Sequence, residues 1–251
     1  MKTIGALLFG LAGLILAGCD TAKRVEAPMF TGSPEIAHVR PDISILDALG
    51  TPPTPNFKIL QLAIRGAAKG PKIGNVNITL NSSTERFGQT TETYSYEAFG
   101  GKCTVLRYGQ LVQLAGLINL MSSVKIWSDN CNGWGAGFDR RELVQVRDAQ
   151  GSLFPMKVGN KASLTLDTLI SKSKTATGLS ETEDSLKMTL EVVRRIPDFI
   201  VESTGKSLGE VFVIRRTDST GQSQDLLFST QLGWQIGYDN GLSVSIVDWS
   251  Q

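Results

Sequence analysis

The chain has 251 residues, of which 41% are hydrophobic and 20% are charged, a composition typical of an ordinary globular protein. Its 25 Lys and Arg residues nearly balance 24 Asp and Glu residues, so the net charge is +1. Proteins that bind nucleic acid usually have a strong positive charge, and the balanced charge of this chain excludes one. We therefore do not expect nucleic acid as a partner.

The N-terminus carries a short apolar segment, residues 4–17, which follows the positive charge of Lys2. Its length suits the hydrophobic region of a signal peptide, whereas a membrane-spanning helix, the alternative, needs roughly twenty apolar residues. The segment ends in Leu16-Ala17-Gly18-Cys19, which resembles the lipobox of bacterial lipoproteins. The resemblance implies that residues 1–18 are removed as a lipoprotein signal peptide and that Cys19 receives a lipid that anchors the protein to a membrane.

The residue after the lipidated cysteine bears on where the protein resides. In enteric bacteria, lipoproteins with Asp at this position are typically retained at the inner membrane, and this chain has Asp20 there. The resemblance therefore implies the periplasmic face of the inner membrane rather than the outer membrane. We expect the covalent lipid and no cofactor.

The other two cysteines form an even pair once the lipid has consumed Cys19. In an exported protein, Cys103 and Cys131 are expected to form a disulfide. Closing a loop of about 28 residues would stabilise the fold by roughly 3.5 kcal/mol. A metal or redox role suits them less, because they are far apart in sequence and the chain has one His.

A proline-rich arm follows the lipidation site, since residues 20–56 hold six of the nine prolines. Proline favours extended backbone, so residues 19–56 are predicted to be a semi-rigid tether. Within it, Asp42 and Gly50 are placed to begin and end a short helix. The apolar side chains of that helix are expected to dock on the protein's own body, or else on a partner.

From Phe57 to the C-terminus the dominant hydrophobic period is two, as in Val-Asn-Ile-Thr-Leu at 76–80. This period is typical of half-buried antiparallel strands. The sequence predicts a mainly-β body over 57–251, a sandwich or a barrel-like sheet of about twelve strands, with Asn240-Gly241 as a hairpin turn. The predicted strands are 59–64, 76–80, 91–98, 103–108, 124–127, 142–146, 153–158, 186–193, 211–214, 226–228, 232–238 and 242–247.

Two segments have a helical period instead and predict short packing helices, at 110–121 and 196–202. Residues 171–185 are dense in Ser, Thr, Lys and Glu, which predicts an exposed loop. That loop either divides the body into two sub-domains or belongs to a single larger body.

Few residues suggest catalysis. The one histidine, His38, lies in the arm, so no His-dependent site, no metal site and no enzymatic activity are expected. Residues 205–209 match the G-x-S-x-G pattern of serine hydrolases, but they follow a predicted helix and precede a strand, the reverse of the usual nucleophile turn. Ser207 as a nucleophile is therefore the weakest alternative.

The most unusual segment combines aromatic residues with Asn, Asp and Gly around a cysteine. Trp127, Trp134 and Phe138 are expected to cover the edge of the core, or alternatively to form an aromatic platform for a glycan or a protein partner. The spacing of the Asn and Asp residues departs from calcium-binding loops. Trp234 and Trp249 fall on predicted strands and are expected to be core residues.

The features above support three classes of function. The leading one is a lipid-anchored structural or protein-interaction module of the bacterial envelope, with another envelope protein as its partner. A glycan-binding or small-ligand-binding module is second and would require suitable residues lining a concave surface. A serine hydrolase using Ser207 is third.

Overall fold

The computed structural model describes residues 44–66, 70–84, 87–98, 103–129, 138–174, 178–239 and 243–251. In these ranges twelve strands close into one antiparallel barrel, in which each strand pairs with the next and β1 pairs with β12. The expected mainly-β, barrel-like body is confirmed. The strands are β1 (Ile59–Arg65), β2 (Lys72–Ser83), β3 (Phe87–Ala98), β4 (Cys103–Leu114), β5 (Ile118–Asp129), β6 (Phe138–Ser152), β7 (Lys161–Lys174), β8 (Gly178–Ile196), β9 (Val211–Asp218), β10 (Ser223–Ser229), β11 (Trp234–Asp239) and β12 (Ser243–Ser250).

The strands alternate between an inward apolar face and an outward polar face. On β7, Leu164 and Leu166 are buried inside the barrel, while Ser163 before them and Thr165 between them are on the outer side. Strand β2 shows the same pattern, with Val76 buried and its neighbours exposed. Because successive side chains point to opposite faces of a strand, this alternation alone assigns each residue to the lumen or to the outer wall.

One end of the barrel is filled by apolar side chains, which we call the plug. The plug lies where β4 turns into β5, and in an antiparallel barrel this is also the end at which β6 meets β7, β8 meets β9 and β10 meets β11. Its members are buried side chains from the N-terminal segment and from these connections: Leu46, Leu49, Phe57, Leu117, Leu153, Phe154, Leu208, Leu232 and Trp234.

The end of the proline-rich arm forms part of the plug. A 3-10 helix, Ser44–Leu49, occupies the position of the expected short helix, and Gly50 ends it with a φ of 82°. The carbonyl oxygen of Leu49 accepts hydrogen bonds from the amides of Leu153 and Phe154, at 3.0 and 2.8 Å. The helix therefore docks on the protein's own body, as expected.

The helix predicted at 110–121 is wrong, because these residues form the end of β4, a tight turn and the start of β5. The amide of Leu117 donates to the carbonyl of Leu114 at 2.8 Å, around Ala115 and Gly116, whose φ angles of 52° and 73° are both positive. A type I′ hairpin turn requires two such angles. Both faces of the hairpin tip are buried in the plug, so the sequence of its two strands does not alternate between apolar and polar residues. That alternation would have identified them as strands.

The exposed loop predicted at 171–185 is also wrong. These residues lie mostly in β7 and β8, which pair without interruption from Lys161 opposite Glu191 to Lys174 opposite Gly178. Their composition misled the prediction because residues 180–185 of β8 are exposed, so they need no apolar side chains. The closed sheet runs through the point at which two sub-domains were considered.

Two further predictions fail at the plug. The segment 196–202 is not a helix, since Ile196 ends β8 and the following loop closes through a bridge between Ile200 and Ser207. The segment 153–158 is not a strand, because Leu153 and Phe154 insert into the plug instead of pairing in the sheet. Apolar side chains that fill a barrel end mimic the local pattern of helices and strands.

Candidate functional site in the lumen

The lumen contains a cavity of about 130 Å³ beside the plug. Its lining comes from eleven of the twelve strands, β1 to β11, and from the tip of the β4–β5 hairpin. One part of the lining is apolar and includes Leu62, Ile78, Leu111, Leu166, Met188 and Trp234. The other part is polar and includes Glu92, Tyr94, Arg107, Gln113, Arg216 and Tyr238.

Glu92 lies on the inward face of β3 and is 4% exposed. The Tyr94 hydroxyl donates a hydrogen bond to its Oε2 atom, at 3.2 Å. Burial raises the pKa of Glu92 above its ordinary value, while the positive charge of Arg107 and hydrogen bonds from Tyr94 and Gln113 oppose the rise. The Glu92 carboxyl therefore keeps its proton to a higher pH than an exposed glutamate does.

Arg107 lies opposite Tyr94 in the pairing of β4 with β3. Its guanidinium carbon is 4.7 Å from the centroid of the Tyr94 ring, the geometry of a cation–π contact. The Nε atom of Arg107 is buried and has no hydrogen-bond partner among the described residues. A buried donor without a partner costs roughly 1–3 kcal/mol, so this atom is set up to receive an acceptor that the described chain does not supply.

The second cation of the lining, Arg216 on β9, is held by groups of the protein. Its Nη2 atom donates to the side-chain oxygen of Gln224 on β10. Burial lowers the pKa of Arg216, while Tyr238 and Asp218 oppose this fall. Burial also raises the pKa of Tyr238, so this hydroxyl keeps its proton. Of the two arginines in the lining, Arg107 is the one with a buried donor that has no hydrogen-bond partner among the described residues.

A chain of hydrogen bonds fixes the polar wall next to the plug. The Thr90 hydroxyl donates to Gln113 Oε1 at 3.0 Å, and Gln113 Nε2 donates to Asn119 Oδ1 at 2.7 Å. These contacts tie β3, β4 and β5 together. Satisfied polar networks of this kind hold side chains in one arrangement, so this part of the wall is preorganised.

A partly buried ion pair lies outside the lining of the cavity. On the inward face of β6, Arg140 Nη2 is 3.0 Å from Glu142 Oε2, and the Glu142 side chain is 4% exposed. Arg140 Nε and Glu142 Oε1 have no hydrogen-bond partners among the described residues. The inner face of the barrel therefore carries charge in two places.

The structure tests only part of the predicted site. Cys103 is buried at the start of β4, but Cys131 lies outside the described residues, so their disulfide stays a prediction. Trp127 and Phe138 belong to β5 and β6, but their side chains and all of Trp134 lie outside the described part, so the aromatic platform is untested. Cys19, Asp20 and His38 also lie outside it.

Ser207 has a structural environment. Its hydroxyl donates to Asp198 Oδ1 at 2.5 Å and accepts the amide of Gly209 at 3.0 Å, on an exposed loop. The neighbouring Lys206 pairs with Asp248 on β12 at 3.0 Å. These contacts hold the loop against the barrel wall, and Ser207 does not line the cavity.

The expected core role of Trp234 is confirmed, since its side chain is 1% exposed, while Trp249 is half-buried on β12. Sequence reasoning missed Glu92, Arg107 and Arg216 as luminal residues. The sequence did contain a signal on β3. Glu92 and Tyr94 are two residues apart in a strand, so their side chains lie on the same face of the sheet.

The described ranges contain no group of three or more His, Cys, Asp or Glu side chains arranged to hold a metal ion. No helix in those ranges is long and apolar enough to cross a membrane. No protein-family model, no curated protein and no solved structure matches the chain.

Proposed function

We propose that the protein is a lipid-anchored binding protein of the bacterial envelope that holds a small ligand inside its barrel. The observation that carries this proposal is the luminal cavity, whose apolar wall faces a small set of fixed polar groups. Ligand sites typically combine these two features, and closed barrels commonly enclose them. A cavity of roughly 150 Å³ accommodates benzene, so the cavity of about 130 Å³ suits a ligand of about one ring.

The cost of the luminal charges supports a role beyond folding. Apolar residues of similar volume in place of a buried ion pair are often neutral or stabilising, by about 1–4 kcal/mol. Glu92 and Arg107 nonetheless occupy inward positions in a barrel whose plug is already filled by apolar side chains. A core needed only for stability would not require them.

The outer wall agrees with a body that is tethered to a membrane and surrounded by water. The outward positions of β2, among them Asn75, Asn77 and Thr79, are exposed and polar. Barrels that span a membrane have the opposite pattern, with an apolar outward band. In this proposal the membrane is reached through a lipid on Cys19.

Binding is tested by screening single-ring fragments against 15N-labelled protein. We expect at least one fragment to shift amide resonances of residues that line the cavity. The variant Val144→Phe places a ring in the lumen and should abolish these shifts, at a stability cost of about 1–3 kcal/mol. Val158→Phe is the matched control, because Val158 is 51% exposed. The proposal fails if no fragment shifts luminal resonances, or if Val144→Phe leaves binding unchanged.

The anchor has a separate test. Cys19→Ser should move the protein from the membrane fraction to the soluble periplasmic fraction, because it removes the atom that carries the lipid. Asp20→Ser should move it from the inner to the outer membrane. An unchanged distribution of the first variant would contradict lipidation, and an unchanged distribution of the second would contradict retention by Asp20.

A protein-interaction role is the second candidate. Leu143 on β6 and Leu169 on β7 are cross-strand neighbours on the outer wall and are 40% and 37% exposed. A photoreactive side chain placed at 143 in the native host should give a discrete crosslinked product that is missing when it is placed at Ser163 on the same wall. The same pattern of products at both positions would contradict a partner at this patch.

A further inference from the structure

We infer that the luminal cavity takes a small monocarboxylate whose carboxylate meets the Arg107 guanidinium, and that Glu92 takes up a proton when this ligand binds. This inference rests on the proposed function and specifies the chemistry of the same site. Three observations support it: the Arg107 Nε atom without a hydrogen-bond partner among the described residues, the charge balance of the lining and the size of the cavity.

The Arg107 side chain is presented in a way that suits a carboxylate. Tyr94 covers one face of the guanidinium, at 4.7 Å from the ring centroid, and leaves its edge to accept a ligand. The Nε atom on that edge is buried without a hydrogen-bond partner among the described residues. Because the N–H groups of a guanidinium form a planar fork, they match the two oxygens of a carboxylate better than they match a single hydroxyl.

The charges of the lining favour an anion. Three acidic or basic residues line the cavity: Glu92, which is negative when it is ionised, and the positively charged Arg107 and Arg216. Arg216 has Gln224 as a partner and also interacts with the charge of Asp218. Arg107 is balanced by Glu92 only while Glu92 is ionised, and the charge available to a ligand therefore depends on whether Glu92 holds a proton.

The groups around Glu92 make proton uptake the expected response. Arg107, Tyr94 and Gln113 act on it, and its charge acts on Tyr238. Among the described residues, Arg107 is the cation that lowers its pKa, while Arg216 is farther along the lining. Its cross-strand neighbours on β2 and β4 are Ile78 and Gly109, which bring no charge. An anion placed at Arg107 competes with the ionised Glu92 and repels it, so the bound state favours the neutral acid.

The apolar part of the lining sets the size of the ligand. Leu111, Leu166, Met188 and Trp234 surround a space of about 130 Å³, close to the roughly 150 Å³ that accommodates benzene. A ligand with one ring or a short branched chain and a single carboxylate satisfies both the apolar and the charged part of the lining. Benzoate is the simplest probe with this chemistry, and benzyl alcohol is its neutral counterpart.

The experiment titrates benzoate and benzyl alcohol into the full-length protein by calorimetry, between about pH 5.5 and 8, where a carboxylic acid with an ordinary pKa of about 4.3 is ionised. We expect benzoate to bind at least about tenfold tighter than benzyl alcohol, the size of a hydrogen bond between charged groups. Benzoate affinity should rise as the pH falls. Buffers with different ionisation enthalpies should reveal net proton uptake.

Variants separate the two residues. Arg107→Met should reduce benzoate affinity at least about tenfold and leave benzyl alcohol binding nearly unchanged. Arg107→Lys keeps the charge without the planar fork and should give an intermediate loss, which keeps the test open if the Met variant does not fold. Glu92→Gln should tighten benzoate binding near neutral pH and remove the proton uptake. Arg147→Met, on the exposed outer wall, is the matched control and should bind as the native protein does.

The outcomes distinguish this inference from the function on which it rests. Equal binding of benzoate and benzyl alcohol in the lumen would overturn the carboxylate, while binding of a small ligand would stand. Tighter benzoate binding without proton uptake would overturn the role of Glu92. No binding of either probe, together with no luminal shifts from the fragment screen, would overturn the proposed function itself.

Discussion

The plug and the polar cavity lie next to each other inside the same barrel, yet they have opposite chemistry. Aromatic and aliphatic side chains of the plug pack directly on other apolar side chains, as where Phe154 contacts Phe228 of β10 with 5.9 Å between ring centroids. In the cavity, Glu92 and Arg107 replace such residues on neighbouring strands. Trp234 belongs to both regions, since it packs on Phe57 and also lines the cavity.

The difference shows how stability and function are divided in this barrel. Arg107 Nε, Arg140 Nε and Glu142 Oε1 are the buried side-chain atoms of the described chain that have no hydrogen-bond partner, and none of them belongs to the plug. Each such atom costs free energy. Stability should therefore depend mainly on the plug, whereas the polar lumen should be neutral or unfavourable for folding.

The largest effect is expected from breaking the plug at Trp234. Trp234→Ala removes a large side chain that is 1% exposed, and it should lower the free energy of unfolding by about 3–5 kcal/mol. Denaturation in urea, followed by circular dichroism, measures this change.

Trp249→Ala is the control for that variant. Trp249 is half-buried on β12 and lies under Lys206 Nζ, at 5.2 Å from the ring centroid, so its loss should cost only about 1–2 kcal/mol. Equal losses for the two tryptophans would contradict the special role of the plug.

A smaller effect is expected from adding an atom at the same place. Gly88 on β3 lies against the Trp234 ring, and a Cβ atom at this position would be 2.7 Å from two ring carbons. Gly88→Ala should therefore lower the free energy of unfolding by about 1–3 kcal/mol, the usual cost of overpacking.

Gly66→Ala is the matched substitution, because a Cβ there meets no atom within 4 Å. Its effect should stay within about 0.5 kcal/mol. Both variants are compared with the native protein by urea denaturation, and a neutral Gly88→Ala would show that the indole can move out of the way.

Sequence pattern predicts the wall of this barrel and fails at its filled end. The alternation at 76–80 identified β2, because Val76 and Ile78 face a core while Asn77 faces water. The hairpin tip at Ala115 and Gly116 was misread as a helix, because both of its faces are buried. Periodicity reports which side of an element faces water, and it loses its meaning when neither side does.

The candidate site was harder to predict for a different reason. Arg107 follows Glu92 by 15 residues, and Arg216 follows Arg107 by 109 residues. Closure of the barrel brings all three to one cavity. Charged residues in strands are usually assigned to the outer face. The available signal was that Glu92 lies on the same face of β3 as Tyr94. Extending it to Arg107 would have required the register of β3 with β4, which pairs Tyr94 with Arg107.

The smallest effect is a change in how stability depends on pH, and it isolates the polar cavity. Burial raises the pKa of Glu92 in the folded protein above its ordinary value of 4.5, so folding favours the protonated form. The native protein should therefore lose stability as the pH rises from about 4.5 through the raised pKa of Glu92. Glu92→Gln cannot ionise, and its stability relative to the native protein should increase over the same window.

Asp167 on the outer wall provides a control of opposite sign. Its hydrogen bond with Arg147 lowers the pKa of Asp167 below 3.8, so the native protein gains stability from this carboxylate above that pH and loses it in more acidic solution. Asp167→Asn should become less stable relative to the native protein as the pH rises. Urea denaturation of both variants between about pH 3 and 8 measures the two slopes. If both slopes have the same sign, Glu92 does not experience the buried environment that separates the lumen from the outer wall.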